Sequence, residues 1–202
     1  MPLSLVGSEM CIRDSTNAAK CGHEHGLVVH LDGARMMNAV VRLGISPADL
    51  VADVDTVSLC LSKGLGAPVG TILAGPKSFI RRAHRIRKLV GGGMRQAGVL
   101  AAAGLYALDH HIDRLASDHD NALRLAEQLA AIPGVTANPA AVETNMVFVD
   151  FAEGAGVRLR DHLAAKGILI VADSDHVRLV THLDCGVPEV DQFTAAVRDF
   201  FT

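Results

Sequence analysis

At 202 residues, about 1.3 times a typical domain length, the chain allows one large domain or two small ones. Half of its residues are apolar, 20% are charged and the net charge is −3, which suits a globular protein with a real core and leaves no basic excess for nucleic-acid phosphates. Aromatic residues are only 3% with no Trp, and the longest apolar run, Val99 to Leu108, is about half a bilayer span, so neither a base-stacking platform nor a membrane segment is expected.

The first fifteen residues, MPLSLVGSEMCIRDS, share none of the strand and helix patterning of the remaining chain. They resemble a translated adapter or assembly scar and are set aside from fold reasoning. Residues 21–25, Cys-Gly-His-Glu-His, read as a polar loop. Two histidines and one thiol there do not complete a tetrahedral metal site. Leu27 to Asp32, aliphatic and bounded by Gly26 and Gly33, reads as a buried strand. Residues 34–43 are helix-like and stop at Gly44, and Ser46-Pro47 opens a second short helix by the cap-then-proline rule. Thr56 to Ser62 and Gly70 to Ala74 are further strands, followed by a very basic helix from Pro76 to about Val90. After Gly91-Gly92-Gly93, residues 95–131 read as one long helix ended by Pro133-Gly134, with Gly98 and Gly104 open to close approach by a helix or subunit. The remainder reads as strand (Met146 to Phe151), helix (Gly156 to Lys166), strands (Ile168 to Val171 and Val177 to Leu183) and a final helix from Pro188. Strands alternating with helices predict an α/β fold with a mostly parallel sheet, followed by a small α+β unit. The cysteines, Cys11, Cys21, Cys60 and Cys185, form no CxxC pair, which points to reduced thiols and a cytoplasmic setting.

Two residues stand where open α/β sheets hold ligands, beyond the carboxyl ends of strands. Asp32 closes its strand in His30-Leu-Asp-Gly-Ala-Arg35, where a carboxylate can meet a cationic ring nitrogen or can simply cap a helix. Lys63 leaves the next strand into a glycine-rich loop, Ser58-Leu-Cys-Leu-Ser-Lys-Gly-Leu-Gly-Ala-Pro-Val-Gly70. Partial burial there would suit an amine used for Schiff-base chemistry; the alternative is a lysine snorkelling on the surface. Gly64, Gly66 and Gly70 match neither a dinucleotide fingerprint nor a P-loop. An acid at one strand end and a lysine at the next is the pair that a pyridoxal phosphate site uses, the lysine to bind the cofactor and the acid to keep its ring nitrogen protonated.

In order and spacing, HLDGAR, SLCLSKGLGAPVG, GGGMRQAG over residues 91–98 and VRLVTHL over residues 177–183 resemble the low-specificity L-threonine aldolases. These are fold-type I pyridoxal phosphate enzymes of the aromatic amino acid β-eliminating lyase/threonine aldolase group. The resemblance covers about residues 16–202. It implies that Lys63 is catalytic and holds pyridoxal 5′-phosphate, that Asp32 partners the pyridine nitrogen, and that Arg95 lies near the cofactor phosphate. Arg35 and Arg178 would bind the substrate carboxylate, which suits a planar guanidinium better than an ammonium. Each arginine also has a plainer reading: Arg35 on a helix surface, Arg178 in a half-exposed strand, Arg95 capping a helix or meeting a partner subunit. His30 is expected to pack near the site, and His110, His111 and His119 to be solvated or interfacial.

The resemblance further implies a lyase of amino-acid metabolism that cleaves L-threonine or L-allo-threonine to glycine and acetaldehyde. Its partners would be a small amino-acid substrate and further copies of itself, tetrameric in the family. A related β-eliminating lyase chemistry stays open. Family members are considerably longer, so residues 16–110 read as the remnant of a cofactor-binding large domain, and residues 111–202 as a linking helix with a small C-terminal domain. The phosphate-binding loop and the histidine that stacks on the ring have no counterpart in residues 1–30, so a catalytically inactive C-terminal fragment is the second expectation.

Overall fold

The computed structural model describes residues 12–202, with side chains from Ser15 onward. The segment set aside over residues 1–15 therefore falls largely outside it, as does Cys11. Ile12 to Ser15 form the opening turn of helix α1 (Ile12–Glu24). That helix is unsignalled in the sequence because it has no apolar stripe; from Ser15 on, only Ala19 is buried. Cys21 to Glu24 thus close a helix rather than lie on a loop. The chain divides into two compact units that meet at Arg114 and Leu115.

The N-terminal unit follows the predicted order. Strand β1 (His30–Asp32) leads to helices α2 (Met36–Leu43) and α3 (Pro47–Leu50), then strands β2 (Thr56–Cys60) and β3 (Thr71–Ala74), and helices α4 (Lys77–Leu89) and α5 (Gly98–His110). Ser46 caps α3 ahead of Pro47 as expected, and Asp49 completes a capping box with it, each side chain bonded to the other's backbone N–H. β1 pairs with β2 in parallel, while β3 returns antiparallel to β2. The return is made by a loop of about ten residues, too short for the crossover that a parallel strand needs. The strand expected over Leu27 to Asp32 is only its last three residues; Leu27 and Val28 are exposed. Met36, Met37, Ala39 and Val40 of α2, together with Leu50, Leu61, Leu65 and Ala107, supply buried apolar residues of this unit. α4 buries none of its residues.

The C-terminal unit is a two-layer sandwich of helices and sheet. Helix α6 (Leu115–Ala130) precedes β4 (Val135–Ala137) and β5 (Met146–Phe151); α7 (Ala155–Ala165), β6 (His176–Val180) and α8 (Val187–Phe201) complete it. The sheet is antiparallel in the order β4-β5-β6. Val147, Val149, Phe151 and Val177 pack against Leu125 and Leu129 of α6, Leu159 and Leu163 of α7, and Val190, Phe193 and Val197 of α8. Each such side chain contributes roughly 1.5–3 kcal/mol when fully buried.

Two expectations are corrected. Residues 95–131 are not one helix: the chain breaks over residues 111–114, between α5 and α6. Residues 168–171 do alternate, with Ile168 and Ile170 packed on the core and Leu169 and Val171 over 80% exposed, but they join no ladder. Alternation reports which side faces the core, not whether a neighbour offers backbone partners. Within the chain, the Leu61 side chain lies 3.0 Å from where a Gly104 Cβ would stand, and the space around Gly98 is open. Among the described residues no helix is long and apolar enough to cross a membrane.

Candidate active site

Because β1 and β2 run in the same direction, their carboxyl ends open on one edge of the sheet. Asp32 is the last residue of β1 and sits in register with Ser58; Lys63 follows shortly after β2 ends at Cys60. The turn after Asp32 depends on Gly33. A Cβ there would stand 2.7 Å from the Ser58 carbonyl oxygen and 3.0 Å from Met36 Sδ, so glycine lets the chain bend directly against β2.

Asp32 is exposed, and its Oδ1 accepts the Ala34 N–H at 3.2 Å. Helix α2 begins only at Met36, with Arg35 in the N-cap position and no side-chain cap bond. Asp32 therefore closes a local Asx-type turn rather than capping a helix. Among the described residues no cation pairs with it. Arg35, at the mouth of the same turn, is half-buried.

The loop after β2 is pinned by its backbone. Leu61 N–H donates to the Gly70 carbonyl at 2.9 Å, Ala67 N–H to the Leu61 carbonyl at 3.0 Å, and Gly66 N–H to the Lys63 carbonyl at 2.8 Å. Gly66 takes φ 71°, a left-handed turn that favours glycine. Two side chains beyond the loop hold it from outside. His111 Nδ1–H donates to the Leu65 carbonyl at 2.6 Å, and Arg114 Nη1–H to the Gly64 carbonyl at 3.3 Å. Gly64, Leu65 and Ala67 are buried in consequence, yet Lys63 beside them is exposed. The expected partial burial of Lys63 is not what this chain provides, because the loop buries its backbone and Leu65 instead. Among the described residues Lys63 Nζ has no hydrogen-bond or ion-pair partner.

His111 and Arg114 are the supporting side chains that sequence reading misses. The sequence leaves His111 solvated or interfacial, but the break between α5 and α6 turns it onto the lysine loop. His119 is buried on α6. His30, exposed on β1, bonds through Nδ1 to Thr56 Oγ1 at 2.8 Å across the β1–β2 pair.

Arg95 is exposed at the bend before α5. The N-cap position of that helix is Ala97, so Arg95 is not its cap. Its neighbour Gln96 takes φ 52°, a left-handed conformation uncommon outside glycine. Arg178 lies in the C-terminal unit, exposed on β6 and in register with Phe148 of β5.

Among the described residues no group of three His, Cys, Asp or Glu side chains could hold a metal ion. His23 instead meets Asp55 at 2.9 Å, and His25 Nδ1–H donates to the Cys21 carbonyl at 2.8 Å. The Val29 N–H, donated at 2.7 Å, and the His23 ring hold the Asp55 carboxyl below its ordinary range. These contacts tie the end of α1 to the approach to β1 and β2.

The chain has part of the fold-type I pyridoxal phosphate enzyme fold, and an acid and a lysine stand at one sheet edge. At TM-score 0.80 the chain superposes on an Exiguobacterium protein of the aromatic amino acid β-eliminating lyase/threonine aldolase type, covering 99% of this chain and 60% of that one at 24% identity. A threonine aldolase of Leishmania major matches at TM-score 0.73 and 18% identity, over 98% of this chain and 59% of its own. Residues 7–152 match the model of the beta-eliminating lyase family, and the chain belongs to that family. A low-specificity L-threonine aldolase of Escherichia coli K12 is 46% identical over 177 residues, 88% of this chain and 52% of its own length. Low-specificity L-threonine aldolase 1 of Arabidopsis thaliana is 43% identical over 180 residues, 87% of this chain and 50% of its own. The chain thus spans about half the length of these curated relatives.

Proposed function

We propose that this chain is the lysine-bearing part of a pyridoxal 5′-phosphate-dependent aldehyde-lyase that cleaves L-threonine or L-allo-threonine to glycine and acetaldehyde. The observation that carries the reading is the delivery of Asp32 and Lys63, neither with an ionic partner among the described residues, to the carboxyl edge of two adjacent parallel strands. The donor set fits the cofactor: an amine for its aldehyde, a carboxylate for its protonated ring nitrogen and guanidinium groups for its phosphate and for a substrate carboxylate. When bound, the cofactor supplies an electron-withdrawing ring that accepts the electrons of the broken Cα–Cβ bond.

Lys63 Nζ would hold the cofactor through its aldehyde. The Asp32 carboxylate, fixed on one side by the Ala34 N–H, keeps a proton on the ring nitrogen. Arg35 orients the substrate carboxylate, and Arg178 of the C-terminal unit is assigned the same kind of ligand. Arg95 is assigned to the phosphate. Self-association is part of the reading. It is supported by the exposed apolar side chains Ile86, Leu89, Val99 and Leu105 on α4 and α5.

The exposure of Asp32 and Lys63 also supports the view that these 202 residues alone do not close the site to water. The test is acetaldehyde release from L-threonine by the cofactor-loaded 202-residue chain and by its longer parent, each beside its Lys63→Ala variant. The reading expects lysine-dependent release from the parent and none above the control from the 202 residues. A parent that keeps its turnover after Lys63→Ala overturns it. Pyruvate and ammonia in place of acetaldehyde would instead identify a β-eliminating lyase.

A further inference from the structure

The outward face of the C-terminal sheet carries an unusual set of side chains. On β5 these are Met146, Phe148 and Asp150; opposite them on β6 stand Val180, Arg178 and His176, while the alternate residues Val147, Val149 and Val177 are buried. Asp150 is therefore directly across from His176 and diagonal to Arg178, a separation of about 7–8 Å that a long arginine side chain readily spans. An exposed carboxylate and an exposed guanidinium placed so would ordinarily pair. They do not. His176 Nδ1–H donates to Asp150 Oδ1 at 2.6 Å, and the His176 ring stacks on Phe148 with centroids 6.0 Å apart, the planes 18° from parallel. Phe148 thus fills the position opposite Arg178 and fixes the imidazole that engages Asp150. Among the described residues Arg178 has no ion-pair or hydrogen-bond partner.

We propose that His176 is a positioning residue: by holding Asp150, it keeps that carboxylate away from Arg178 and leaves the guanidinium open for a carboxylate ligand from outside. Thr136 of β4, the other cross-strand neighbour of Asp150, brings no competing charge. The inference rests on the assignment of Arg178 to a carboxylate. It adds the device that keeps that arginine vacant, since an internal carboxylate within reach competes with any substrate for the same two N–H donors.

The test is the rate at which phenylglyoxal modifies Arg178 in the 202-residue chain, read by peptide mass spectrometry. His176→Leu frees Asp150 to pair with Arg178 and is expected to slow modification about two- to five-fold, the effect of one exposed ion pair. His176→Leu/Asp150→Asn is expected to return the rate to that of the unmodified sequence, which a merely structural loss at His176 would not do. An unchanged rate in His176→Leu, or a slow rate that persists in the double variant, overturns the proposal. A separate arm adds N-acetylglycine as the carboxylate probe. Failure of the probe to protect Arg178 counts against the carboxylate assignment itself and is distinguishable from failure of the His176 variants.

Discussion

Replacing Gly33 by alanine tests how the fold delivers Asp32 beside the lysine loop. The added Cβ would begin 2.7 Å from the Ser58 carbonyl oxygen, so about 0.7 Å of movement is needed to reach ordinary contact. Met36 can yield by changing rotamer, but Ser58 is backbone in the middle of β2 and in register with Asp32. Overpacking of this kind costs about 1–3 kcal/mol. Restricting the unfolded chain returns about 0.4–1 kcal/mol, so the mid-range values leave a net loss of about 1.3 kcal/mol. Native-state hydrogen exchange localises that loss, which is an advantage in a chain with two compact units. Amides of residues 28–34 and 56–62 are expected to exchange about 2- to 30-fold faster, while β5 and α8 serve as unchanged internal references. Unchanged or slower exchange around β1 and β2 would show that the close approach at Gly33 is not what holds this corner, and the account of how Asp32 is placed would fail.

Leu129→Ala empties a fully buried position between α6 and the C-terminal sheet and should cost about 2–5 kcal/mol, read as a lower urea midpoint for peptides of that unit in pulsed exchange. His111→Ala removes the donor to the Leu65 carbonyl and should cost about 0.5–1.5 kcal/mol, visible as faster exchange confined to residues 61–70. Asp175 accepts N–H bonds from Gly154 and Gly156 at 2.8 Å each, which holds its carboxyl below the ordinary range and secures the start of α7. Because its folded value is depressed, its stabilisation is present above the unfolded value near 4 and is lost as pH falls through the folded one. Asp175→Asn should therefore melt below the unmodified chain at pH 7, with the gap closing as the pH is lowered below 4. A gap independent of pH would contradict the assignment.

The parts of this molecule legible in the sequence are those where local chemistry and tertiary structure agree. The Ser46-Pro47 start of α3, the basic α4 and the strands flanking Asp32 and Lys63 are each signalled by residues that act on their near neighbours. α1 is not legible because it packs through almost no apolar residues, and its end is fixed by Asp55, far along the chain. Residues 168–171 have the alternation of a strand, but hydrogen-bond partners are set by topology. The positions of Asp32 and Lys63 after two successive strands point to one sheet edge, and the parallel pairing of β1 with β2 puts both there. What the spacing could not show is that the lysine loop is held through its carbonyls by His111 and Arg114, since backbone acceptors leave no trace in side-chain identity. The exposure of Lys63 is equally hidden, because burial depends on everything packed around a residue.

Borohydride reduction of the chain with limiting pyridoxal 5′-phosphate, followed by mapping of the resulting pyridoxyl-lysine, tests whether Lys63 is the amine presented to the cofactor. The peptide containing Lys63 should carry the largest share, ahead of Lys20, Lys77, Lys88 and Lys166, the last already paired with Asp199 at 2.6 Å. Asp32→Asn should lower that share and leave labelling of the other lysines unchanged. Labelling of Lys63 no greater than that of Lys77 and Lys88 on the exposed basic helix, and indifferent to Asp32, would contradict it.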